Sequence, residues 1–143
     1  MIRLAPAFVS LSLSAMLVAA CGAAQPEQGE AGFDQIAGDD TVYAAGNEPF
    51  WSTKISGGLV RYKALAGDID ASFPINRFTG NSGLGFSGEW EGQPFDLTVT
   101  SGACDDTMAE RNYPFTATLK VGEDIYTGCG WSDAHPYTET EAP

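Results

Sequence analysis

Phe50-Trp51-Ser52-Thr53-Lys54-Ile55-Ser56-Gly57-Gly58-Leu59-Val60-Arg61-Tyr62-Lys63-Ala64-Leu65 is the stretch that decides the fold class. From Phe50 to Ser56 the residues alternate, with Trp51, Thr53 and Ile55 on one side and Phe50, Ser52 and Lys54 on the other. From Leu59 the alternation resumes, Val60, Tyr62 and Ala64 against Leu59, Arg61, Lys63 and Leu65. A period of two belongs to a strand with one buried face. Gly57-Gly58 supplies the left-handed backbone that a two-residue hairpin turn needs. The stretch is therefore a β-hairpin.

Working outward, the same signals recur every eight to twelve residues. Thr41 to Ala44 is β-prone and ends at the turn set Gly46-Asn47-Glu48-Pro49. Further strands are expected at Ala71–Phe78, Leu84–Trp90, Phe95–Thr100, Phe115–Val121 and Asp124–Gly130. Glu91-Gly92 and Gly122-Glu123 form the later turns. About eight short strands with no helical period predict an all-β domain, a small antiparallel β-barrel or sandwich. The 143 residues include 17 Gly and 8 Pro, a composition that suits turns between strands.

Residues 1–20 have a basic start at Arg3, an apolar run from Leu4 to Ala20, and the ending Leu17-Val18-Ala19-Ala20-Cys21-Gly22. The pattern reads as a secretory signal peptide. Its ending resembles the lipobox of bacterial lipoproteins, in which small residues precede a cysteine that is lipidated before cleavage. That resemblance implies lipid attachment at Cys21, a membrane as the first partner, and, with Gly22 rather than Asp next, an outer-membrane anchor facing the periplasm. Residues 21–40 are Gly, Ala, Gln and acids with isolated Phe33 and Ile36, and read as a flexible acidic tether. The domain is expected over 41–131, and 132–143 as a disordered acidic tail in which His135 is a solvated residue.

Of the three cysteines, Cys21 is assigned to the lipid. Cys104 and Cys129 remain, and in an exported chain they are expected to form a disulfide. A metal site has little support, since the one His lies in the tail and no C-x-x-C spacing occurs. No cofactor is called for.

Two segments stand out beyond this framework. One is Gly46-Asn47-Glu48-Pro49-Phe50-Trp51. The other runs from Cys104 through Asp105, Asp106, Thr107, Met108, Ala109, Glu110, Arg111, Asn112, Tyr113 and Pro114 to Phe115. Together they resemble a family of uncharacterised bacterial envelope lipoproteins marked by GNEPFW-type and C-x-D-x-M-S-D-x-x-Y-P-type motifs. The resemblance covers about Thr41 to Trp131 and implies a small β-barrel. In that family the domain occurs near, or fused to, domains resembling lysozyme-inhibitor and META-type lipoproteins. Thr107, Ala109 and Glu110 depart from the pattern, where Gly, Ser and Asp are usual. Without a hydroxyl at 109, a nucleophile there is excluded.

Read physically, Gly46 to Pro49 is a shaped corner in which Asn47 tolerates positive φ. Phe50 and Trp51 point to opposite faces, one into the core and one toward a barrel end. Glu48 is expected to pair with Arg111 or Arg61. Trp51 and Trp131 are the candidate ligand contacts of a rim. Asp105, Asp106 and Glu110 form a local acidic cluster that reads as a solvated face rather than a calcium loop.

The formal net charge of −12 disfavours nucleic acid and favours a basic partner. No nucleophile-base pair is evident in the domain, so no catalytic residue is named. The expectation is a non-enzymatic binding module anchored in the envelope, inhibitor-like toward a basic envelope protein such as a lysozyme. The alternative is a structural or stress-protective lipoprotein whose barrel holds a small apolar ligand or nothing.

Overall fold

The hairpin expected at Gly57-Gly58 is present in the computed structural model, which describes residues 32–106 and 110–139. Both glycines have positive φ, 58° and 77°, as the turn demands. Its strands are β2 (Phe50–Ser56) and β3 (Leu59–Ala64), preceded by β1 (Val42–Asn47). The chain continues through β4 (Ile69–Thr79), β5 (Gly83–Trp90), β6 (Gln93–Asp105), β7 (Arg111–Val121) and β8 (Asp124–Ser132), and ends in a short β9 (Thr138–Glu139).

Each strand from β1 to β8 pairs antiparallel with the next, and β8 pairs back onto β1. The result is a closed, eight-stranded barrel with one extra strand, the barrel form of the two architectures expected. Closure removes the free edges that a sandwich would leave. Alternate residues point inward: Trp51, Thr53 and Ile55 of β2, Val60, Tyr62 and Ala64 of β3, and Phe95, Leu97 and Val99 of β6 are all buried. An eight-stranded barrel is just wide enough for side chains to fill. Here Trp51, Phe86, Phe95 and Phe115 do so, each fully buried. Phe95 takes edge contacts from Tyr62 and Phe73 at centroid distances of 5.1 and 5.0 Å.

Two expectations about the ends are corrected. The expected tether at 21–40 does not reach the domain at Thr41, because packing begins upstream, at Phe33. Phe33 and Ile36 are buried in the core, at 7% and 2% exposure. The Phe33 ring meets Phe115 edge-on, and its amide donates to the Gly80 carbonyl at 2.8 Å. Arg77 on β4 holds this segment by donating to the carbonyls of Ile36 and Ala37, each at 2.7 Å. The physical reason is simple: the barrel end beside the β4–β5 turn needs an apolar stopper, and the nearest apolar residues supply it. The expected tail at 132–143 is likewise held as far as Glu139. Ser132 is buried, Tyr137 packs on Tyr113 and Trp131, and Thr138–Glu139 pairs with Asn112 and Arg111. His135 is exposed as expected, although its ring lies edge-on to Phe115.

The expected strand limits were short at several places: β1 runs on to Asn47 and β8 to Ser132. β6 runs on to Asp105, β7 begins at Arg111, and β4 begins at Ile69. Cys104 therefore lies within a strand rather than in a loop. Cys21 and the lipobox, residues 1–31 in general, and Met108 lie outside the described residues.

Candidate functional site

The two sequence motifs meet on the outside of the barrel. β6 and β7 pair regularly from Phe95↔Val121 to Ser101↔Phe115, then step by one extra residue to Cys104↔Tyr113 and Asp105↔Asn112. This bulge coincides with Pro114, the one β7 residue without a partner in the ladders to β6, β8 or β9. A proline with no amide hydrogen is placed where no ladder bond is needed. Beyond the bulge the hairpin forms an arm that reaches over β8 and β1.

Two contacts hold the arm to the barrel, and a third braces it from within. The Cys104–Cys129 disulfide joins it to β8, with Cα atoms 5.5 Å apart. The Asn47 side-chain amide donates to the Asp106 carbonyl at 2.9 Å. The Tyr113 hydroxyl donates to the Asp106 carboxylate, also at 2.9 Å. Burial, and then that hydrogen bond, push the Tyr113 phenol up from its ordinary value. Asn47 of the first motif and Asp106 and Tyr113 of the second thus form one network across 59 residues of sequence separation.

The first motif is built around a close approach. Gly46 is the cross-strand partner of Trp51. A Cβ at Gly46 would lie 2.3 Å from the indole Nε1 and 2.5 Å from the Thr127 carbonyl oxygen, so only glycine fits. Asn47 is extended within β1 rather than at positive φ, which corrects the expected corner geometry. The corner is Glu48-Pro49 alone, joined by a cis peptide bond. Trp51 is 1% exposed and Phe50 41% exposed, so Trp51 is the core aromatic and no surface contact.

Between the arm and the barrel lies a groove of about 460 Å³. Glu48, Asp105 and Asp106 supply its carboxylates, Thr116, Thr118 and Thr127 its hydroxyls, and Asn47 its amide. Glu48 does not take the expected arginine partner: Arg61 pairs with Asp70 at 2.9 Å, and Arg111 with Glu139 at 3.5 Å. Arg111 instead lies over the Tyr137 ring, 4.6 Å from its centroid, and the hydrogen bond it donates to the Tyr113 hydroxyl oxygen holds its guanidinium pKa up. Sequence reading missed the three threonines. Their spacing at alternate outward positions of β7, opposite Thr127 on β8, was the available signal.

A second recess of about 150 Å³ opens at the barrel end near the Glu48-Pro49 turn, walled by Trp51, Tyr62, Trp90 and Tyr126. Burial raises the pKa of the Tyr62 hydroxyl. Among the described residues no group of three or more His, Cys, Asp or Glu is placed to hold a metal ion. Protein-family models, curated proteins and solved structures yield no match to this chain.

Proposed function

We propose that this chain is an envelope lipoprotein, anchored in the outer membrane through a lipidated Cys21, whose barrel is a non-enzymatic module that captures a basic protein. The observation that carries this reading is the groove between the two motifs, where Glu48, Asp105 and Asp106 come together on one open lining beside Asn47 and three threonines. Carboxylates on a pinned arm are pre-ordered, so a cationic side chain entering the groove meets little ordering cost. The motif resemblance makes a lysozyme the first partner to try.

The test is inhibition and binding of a basic lysozyme by the full chain at low ionic strength. Micromolar binding that fades as salt rises supports the reading, because exposed charges are screened within about 10 Å at 0.1 M salt. No inhibition and no binding at micromolar protein would sink it.

The filled lumen favours one version of the alternative reading. With Trp51, Phe86, Phe95 and Phe115 fully buried inside the barrel, a structural or stress-protective lipoprotein would act without a ligand in its centre. Recovery of no partner from envelope extract by the full chain would support that version.

A further inference from the structure

One face of this acidic chain has the opposite charge. Three of its seven Lys and Arg residues, Lys54, Arg61 and Lys63, stand together on the outer side of β2 and β3. The strand register explains the cluster. Trp131, Tyr43, Lys54 and Arg61 are successive cross-strand partners on β8, β1, β2 and β3, and Ser52 and Lys63 are partners in the next row. At the spacing between strands the first row spans about 15 Å. An open recess of about 310 Å³ lies over these residues.

The row changes character along its length. At one end Tyr43 and Trp131 stack, with ring centroids 5.4 Å apart and planes 8° apart, and both are partly exposed. Lys54 follows, its ammonium 5.7 Å from the Tyr43 centroid. At the other end Arg61 and Lys63 flank Asp70, at 2.9 and 3.4 Å. Asp70 balances one of the three cations there, and Asp133 and Asp40 bound the patch beside the Tyr43 hydroxyl. The side chains of Arg61 and Lys63 remain about half exposed, at 56% and 48%.

We propose that this face binds a short acidic glycan, with a sugar ring on Tyr43 and Trp131 and its carboxylates on Lys54, Arg61 and Lys63. Charge complementarity selects an anion, and the parts of the stacked aromatic pair left exposed select a ligand that offers apolar C–H groups. The net charge of −12 selects a short ligand. A long polyanion or a flat anionic bilayer would meet the acidic surfaces around the patch and be repelled. The site is separate from the acid-lined groove and does not depend on the capture of a basic protein.

The experiment is a titration of the full chain with trigalacturonate, followed by calorimetry and tryptophan fluorescence, beside neutral maltotriose and a three-residue oligothymidylate. Trigalacturonate is expected to bind and to change tryptophan emission, with at least tenfold weaker binding of maltotriose and of the oligonucleotide. Lys54→Glu, an exposed change with an unaltered urea midpoint, is expected to weaken trigalacturonate at least tenfold. Lys120→Glu, on β7 away from the patch, is expected to leave it unchanged. Equal binding by the Lys54→Glu variant overturns the site, as does no binding of trigalacturonate at millimolar concentration. Oligonucleotide binding as tight as that of the glycan overturns the ligand class.

Discussion

Replacing Phe33 by alanine tests whether the segment before Thr41 is part of the barrel. Phe33 is 7% exposed, and its ring lies edge-on to Phe115 with centroids 5.9 Å apart. Removing a buried phenylalanine ring costs about 3–5 kcal/mol. Phe33 sits at the barrel end, where the surroundings can close in, so we place it at about 3 kcal/mol. Ile36, 2% exposed and part of the same core cluster, adds about 2 kcal/mol when truncated in the same background. The backbone bond from Phe33 to Gly80 and the Arg77 bonds survive both changes, which keeps the effect one of packing. With a urea slope of about 2 kcal/mol per molar, Phe33→Ala should lower the unfolding midpoint by about 1.5 M. Gln35→Ala, an exposed neighbour, should move it by less than about 0.3 M. Coincident midpoints for parent and Phe33→Ala would refute the plug and restore a tether reaching Thr41.

Gly46→Ala drives a methyl into the Trp51 indole and the Thr127 carbonyl, and should cost about 2–3 kcal/mol in urea unfolding with a red-shifted tryptophan emission. Replacing Cys104 and Cys129 together by serine opens a loop closed over a sequence separation of 25 residues, and should remove about 3.5 kcal/mol on the loop-entropy account, with faster amide exchange concentrated in the arm. Asp70 gives a pH dependence: its hydrogen bond from Arg61 holds the carboxyl at about 2, below the ordinary 3.8. A depressed pKa means that the stabilisation is present above pH 4 and is lost as pH falls toward 2. Arg61→Gln should therefore flatten the fall of the urea midpoint across that window, and an unchanged slope would show that the pair does not contribute.

How much of this was legible in the sequence follows from the length scale of each cause. The β2–β3 hairpin is written locally, in alternation around Gly57-Gly58, and needs no tertiary information to read. The Cys104–Cys129 link follows from counting once Cys21 is set aside. Phe33 and Ile36 were illegible because a plug needs no period: each residue fills a hole defined by Phe115 and Arg77, far along the chain. Tyr137 is a similar case, held by rings from β7 and β8 within a segment that looks like a tail. The motifs were visible as strings, and their glycine and proline could be assigned to a corner. Their convergence was not visible, because Asn47 and Asp106 are joined by the closure of the barrel, which no local pattern encodes. Glu48 shows the reverse error. Its pairing with an arginine was chemically reasonable, yet the register sets Asp70 opposite Lys63 and diagonal to Arg61, which lies on β3, two strands away from β1.

The most direct measurement of the central claim is calorimetric titration of a basic lysozyme into the full chain and into its Glu48→Lys variant, at 20 and 300 mM salt. Glu48 is exposed on the turn that borders the groove, so reversing its charge changes the lining without disturbing the core. The parent is expected to bind at micromolar concentration at low salt and to lose tenfold or more at high salt, with a comparable loss in the variant. Binding that is unchanged by Glu48→Lys, or absent from the parent at low salt, would contradict that claim.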